Sequence, residues 1–256
     1  MPFEIPSSAA NGLLGEVYRD LKAVAKESFK GLTRPMRERA ERRALLSQFH
    51  PDFANEEPAL TDLVSYSEWH ETDKDWREGK GLWCAATHGE MAAIWTNADR
   101  FPSYEARLLQ YRRFGGETRR LFVIGPEIYR DAARFALFRT LRRHHALGFQ
   151  PRVCAKINLQ ELAHRLDELK ADTVACFNSH ISYFIRCRVD ADPLMVRSID
   201  IRRASRIEGL ICRMWSEATA ADEFLRTRNW QIPDEVKTEI ERDIDTVETL
   251  AHLLPF

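Results

Sequence analysis

Between Arg119 and Trp215 the chain alternates short apolar runs with helical patterns, and this alternation limits the folds open to it. Arg119-Arg120-Leu121-Phe122-Val123-Ile124-Gly125 is an apolar run closed by Gly125-Pro126. A long helical pattern follows, with Ile128, Ala132, Phe135, Ala136, Phe138 and Leu141 on one face, and ends at Gly148. Arg152 to Ile157 reads as a strand, a helix stands behind Asn158, and Asp172 to Asn178 reads as the next strand. Parallel strands need a connection of a dozen or more residues, usually a helix. The fold class expected is therefore α/β, with a mixed, largely parallel sheet flanked by helices.

Strands are expected near 82–86, 120–125, 152–156, 173–177, 181–187 and 195–199, from apolar, β-branched or aromatic content between turn signals. Asn178-Ser179-His180 is expected to turn a hairpin. A helix should begin at Thr87 or His88, another should run from Tyr104 to Phe114, a long one from Ile201 to Phe224, and an acidic one from Pro233 to Leu253. Upstream, helical spacing predicts elements over 13–25, 36–49 and 62–69. Residues 1–79 are thus read as a helical N-terminal layer packing on the core, and 80–256 as the α/β domain. Phe122, Ile124, Val153, Phe177 and Trp215 are the expected core.

The hydrophobic share of 44% and charged share of 30% fit an ordinary soluble protein. No apolar run approaches the roughly 18 residues that span a bilayer, and the N-terminus lacks the pattern of a secretory signal. Five cysteines without a CxxC pair form neither a disulfide framework nor a zinc cluster. Cys154, Cys176 and Cys187 read as small buried hydrophobes within strands. A cytoplasmic, bacterial-type chain without cofactor or metal is expected. Net charge is −1, so nucleic acid is not an expected partner. Locally, eleven arginines stand against four acids between Glu105 and Arg152, and seven acids against two bases after Gln231. The bland account is that these are two solvated faces that partly neutralise each other.

Motifs carry little chemistry. Pro51 in His50-Pro51-Asp52 reads as a helix stop. The Gly125-Pro126 turn lacks the glycines of a phosphate loop. His144-His145, behind Arg142-Arg143, suits the negative end of a helix dipole. No GxSxG, HxxxH or HExxH pattern is present. Asp200 reads as a cap, and Cys84 with His88 offers a weak thiol-nucleophile pattern.

From Tyr104 to about Phe224 the cadence resembles a non-canonical phospholipase D-like domain. It comprises an arginine before Leu121-Phe122-Val123-Ile124, a helix ending in His144-His145-Ala146-Leu147-Gly148, the strand Arg152-Val153-Cys154, Asp172 to Asn178, and a late helix with Trp215. The superfamily's HxKxxxxD motif is absent: two residues beyond His180 stands Ser182, not lysine. The resemblance implies the fold and a retained pocket for an anionic ligand, without phosphohistidine chemistry. The leading expectation is a non-catalytic ligand-sensing, regulatory or interaction protein. Arg120, His144, Arg152 and His180 would approach a small anionic or phosphorylated ligand, with Asn178 orienting them, and a protein partner or homodimer is possible on this reading. One alternative is an enzyme acting on a phosphorylated or nucleotide substrate, with His180 or His144 as general acid–base and Arg120 and Arg152 as phosphate clamps. Another is nucleic-acid binding by Arg37, Arg39, Arg42 and Arg43 with Arg142 and Arg143.

Overall fold

The computed structural model describes residues 34–47, 53, 56, 60–65, 81–88, 102–125, 131–155, 171–186, 194–228 and 230–253. The helices expected over 13–25, behind Asn158 and through Met91 to Trp95 lie outside these residues, as do His50-Pro51-Asp52, Pro126 and Cys187. Contacts divide the chain into two units, Met1–Asn55 and Glu56–Phe256. The first contains helix α1, Arg34–Ser47, the basic element expected over 36–49.

The second unit is an α/β fold. Its sheet has eight strands among the described residues: β1 Thr61–Ser65, β2 Leu82–His88, β3 Glu117–Ile124, β4 Pro151–Ala155, β5 Thr173–Phe177, β6 Ile181–Arg186, β7 Leu194–Ser198 and β8 Thr219–Ala220. Their order is β1-β7-β6-β5-β2-β3-β4-β8. The helices are α2 Pro102–Arg113, α3 Asp131–Ala146, α4 Ile201–Glu217, α5 Ala221–Arg228 and α6 Asp234–Leu253. The six expected strands are all present. Parallel pairing is confined to β2–β3 and β3–β4; the other neighbours are antiparallel, so the sheet is mixed with a smaller parallel share than expected.

Three local expectations are corrected. Residues 61–65 form edge strand β1 against β7, not the start of a helix over 62–69, because backbone pairing with a distant strand overrides short-range spacing. The sheet therefore begins before residue 80. β2 continues through Thr87 and His88 in parallel with β3, where a helix was expected to begin. The helix expected over 201–224 is two helices, broken where Ala218 turns extended and Thr219–Ala220 pair with β4.

α4 packs on one sheet face, and its N-terminus is capped as expected: Asp200 accepts from the N–H groups of Arg202 at 2.9 Å and Arg203 at 3.2 Å. On the other face Trp83, Ala85, Ala175 and Phe177 pack with Tyr104, Leu108 and Tyr111 of α2. A neighbouring cluster joins Phe122, Ile124 and Val153 to Leu137 and Leu141 of α3 and Phe224 of α5. Phe122, Ile124, Val153 and Phe177 are thus core residues. Trp215 is not: it is half-buried, with its indole N–H donating to Gln150 at 3.0 Å. The β5–β6 hairpin turns on Asn178 and Ser179, both at positive φ, with His180 N–H bonded to Phe177 at 3.0 Å.

Candidate functional site

The five residues singled out from the sequence lie in three places. Arg120 and His144 share the α2/α3 face, both in contact with the Phe122 ring. Arg120 is 1% exposed and donates to Tyr104 at 3.1 Å and Thr87 at 3.4 Å. Arg152 serves the opposite face, where its guanidinium lies over Trp215 at 4.1 Å. It also donates to the carbonyls of Trp215, Ser216 and Ala218 at 3.1–3.2 Å, closing the C-terminus of α4. Asn178 and His180 stand at the hairpin turn, beside the start of β2. Asn178 Oδ1 accepts from Leu82 N–H at 2.7 Å, and the His180 ring contacts the Asn178 carbonyl. Glu208 of α4 holds the turn through Ser179 N–H and Oγ, each at 2.6 Å. These roles are largely structural, and the five do not converge on one ligand position.

His144 belongs to a buried ionic network that ties α6 to α2 and α3. Glu105 accepts from Arg143 Nε at 2.8 Å and from His144 Nε2 at 2.8 Å. Arg143 also reaches Asp243 at 2.9 Å, and Arg139 bridges Asp243 at 3.1 Å and Glu239 at 2.9 Å. Burial pushes the His144 imidazole down to about 4, so it is neutral and donates its Nε2 hydrogen to Glu105. Burial alone would raise the Glu105 carboxyl, but the adjacent Arg143 charge and the His144 hydrogen bond outweigh it and hold the group below its ordinary value. The arginine-rich and acidic segments therefore do partly neutralise each other, through the buried Arg143–Asp243 pair and the more exposed pairs of Arg139.

Beside this network runs a groove of about 630 Å³ between α3, α5 and α6. Phe138, Leu225, Ile240 and Ile244 make its apolar lining. Arg142, His145, Arg226 and Lys237 bring positive or protonatable groups, against the carboxylates of Asp222 and Glu241. Arg142, His145 and Arg226 are exposed, and Lys237 is engaged with Asp234 at 2.7 Å. Helical periodicity makes the division of α3: Arg139 and Arg143, four apart, turn to α6, while Phe138, Arg142 and His145 line the groove. From the sequence Arg142 and His145 stand out as a helix-end cluster and Phe138 as part of an apolar helix face, whereas Arg226, Lys237, Leu225, Ile240 and Ile244 carry no such signal. Only the three-residue offset of Arg142 and His145 signalled a shared face; the remainder comes from helices far apart in the chain. Among the described residues no group of three or more His, Cys, Asp or Glu side chains is placed to hold a metal ion. No described helix is long and apolar enough to cross a membrane.

No protein-family model matches the chain, and no curated protein matches its sequence. Among solved structures it is similar to TrmBL2, titled an archaeal chromatin protein with a novel mode of DNA binding. That superposition covers 84% of this chain and 71% of that one at 14% identity, with a TM-score of 0.36. So loose a likeness says nothing of what this chain binds.

Proposed function

We propose that this chain is a non-catalytic ligand-sensing domain whose α3–α5–α6 groove takes a small organic anion with an apolar part. The observation that carries the reading is the groove itself: Arg142, Arg226 and His145, with Lys237 paired to Asp234 and the carboxylates of Asp222 and Glu241 beside them, rim an apolar lining large enough for such a molecule. Arginine forks pair with phosphate or carboxylate oxygens, and the lining supplies the nonpolar contact. The expected ligand chemistry is kept, while its residues move from Arg120 and Arg152 to Arg142 and Arg226. On the same proposal the sheet is a phospholipase D-like scaffold without that superfamily's complete HxKxxxxD motif. In support, Ser182 occupies the place of the motif's lysine and is fully buried in β6. His144, buried and neutral with both neighbouring charges engaged, is a poor proton shuttle.

Phenyl phosphate and inorganic phosphate are suitable probes, with binding followed by calorimetry. Phenyl phosphate should bind more tightly than inorganic phosphate. An Arg142→Ala/Arg226→Ala variant should lose at least about tenfold in affinity, since each charge-assisted hydrogen bond contributes roughly 1.5–3 kcal/mol. Equal affinity in parent and variant would remove the groove from consideration. Phosphodiester hydrolysis lost in a His180→Ala variant would replace the binding reading with the enzymatic one.

A further inference from the structure

The α4 face of the sheet carries a thiol cluster remote in chemistry from the groove. Cys84 on β2 and Cys176 on β5 are direct cross-strand partners, and both belong to the face that α4 covers. Cys176 Sγ donates to the Ala204 carbonyl of α4 at 3.2 Å, with Glu208 Oε2 at 3.9 Å. Cys84 is the register neighbour of Arg119 across β2–β3, Arg119 lies against Trp215 one helical turn after Cys212, and α4 contacts β2, so Cys84 and Cys212 share this part of the face and interact electrostatically. The Arg119 guanidinium interacts electrostatically with Cys212. Arg119 is held there by the Trp215 ring, 5.0 Å from its centroid, and by Glu117 at 2.7 Å. Cys84 and Cys176 are fully buried, whereas Cys212 is half-buried.

From this arrangement we infer that Cys212 is a hydroperoxide-reactive thiol resolved by Cys84, so that oxidation ties β2 to α4 through a disulfide. The Cys212 thiolate attacks the terminal peroxide oxygen; the O–O bond breaks, and the leaving alkoxide or hydroxide takes up a proton as alcohol or water. The sulfur becomes a sulfenic acid. Cys84 sulfur then attacks Cys212 sulfur, the S–O bond breaks, and water departs with the Cys84 proton. In balance, two thiols are oxidised to one disulfide and one hydroperoxide is reduced.

Electrostatics support the assignment of roles. The neighbouring Cys84 thiol, with the Arg119 charge, brings the Cys212 thiol down to about 7 against the opposing effects of burial and Glu208. Its neighbours Cys176 and Cys212, and then burial, hold Cys84 well above the ordinary thiol value, so Cys212 is the thiol of the pair that ionises more readily. Cys154 is an internal control. It is likewise half-buried, but burial and Glu217 raise its thiol.

The experiment treats the full chain with a brief iodoacetamide pulse near neutral pH and maps the labelled peptides by mass spectrometry. Cys212 should alkylate about tenfold faster than Cys154, the thiolate excess being partly offset by its lower nucleophilicity. Hydrogen peroxide should then produce a dithiothreitol-reversible Cys84–Cys212 peptide. A Cys84→Ser variant should instead accumulate a dimedone-trapped sulfenic acid at Cys212, and Cys212→Ser should give neither product. Cys154 alkylating as fast as Cys212, or peroxide linking any other cysteine pair or none, would overturn the inference. The parent chain decides these two points even if a variant fails to fold.

Discussion

His144 converts burial into a measurable dependence of stability on pH. Its imidazole titrates near 6.5 when unfolded and at about 4 in the folded chain, because burial disfavours the charged form. A base whose folded value is lowered binds its proton preferentially when unfolded. Its contribution is therefore fully present above the unfolded value and is lost as pH falls from there toward the folded one. A shift of that size corresponds to roughly 3 kcal/mol once both states are protonated, of which about 2 kcal/mol should disappear between about pH 7 and pH 5. That window lies mostly above the range in which an ordinary carboxylate titrates, so Glu105 contributes little within it. His144→Gln retains an amide N–H in reach of Glu105 but cannot be protonated. Urea unfolding of parent and variant, followed by circular dichroism at both pH values, isolates the imidazole as a difference of differences, since the other histidines cancel. The parent should lose about 2 kcal/mol more than the variant across the window. Equal losses would refute the claim that this histidine is buried in its neutral form.

Four other outcomes follow from the packing. Glu105→Gln should destabilise the fold by about 3–5 kcal/mol, because Arg143 is left with Asp243 alone in a buried setting; a melting temperature within a degree or two of the parent would contradict the network. Phe122→Ala should cost about 3–5 kcal/mol by chemical denaturation, as expected for a large side chain removed from a closed core. Gly81→Ala should lower the melting temperature, since a β-carbon there would lie 1.8 Å from Asn178 Oδ1 at a φ of +128°. Arg120→Ala should also lower it and leave phenyl phosphate affinity unchanged in the fraction that folds, because Arg120 is buried against Tyr104 and Thr87; calorimetry alongside a thermal melt separates the two effects.

Much of the sheet was legible because its central strands are short apolar runs between turn residues, and such runs find strand partners wherever the topology places them. The Asn178-Ser179 hairpin was legible for a local reason: a two-residue turn needs left-handed backbone, and asparagine adopts it readily. The Asp200 cap was equally local. β1 was not legible, since Thr61–Ser65 become a strand only by pairing with β7, more than a hundred residues away in the chain. Trp215 is expected in the core, but the arginines on its ring and its bond to Gln150 hold it at the rim.

The candidate sites show the same division more sharply. A strand buried on both faces carries no alternation of polar and apolar residues, so the direction of each side chain cannot be read from it. Arg120 is accordingly read from the sequence as a ligand-binding residue, yet the pleat sends it into the α2/α3 core and sends Arg119 to Trp215 of α4. In the same way the sequence displayed a basic helix and an acidic one as two charged faces. Only their packing decided that Arg139 and Arg143 would be neutralised by Glu105, Glu239 and Asp243 while Arg142 stayed at the groove. By itself the sequence determined the α/β class, the central strands, the hairpin and the cap, because those depend on local patterns of burial and backbone preference. The tertiary structure alone decided which charges are buried, which cysteines share a sheet face and where the groove opens, because those depend on the relative placement of elements far apart in the chain.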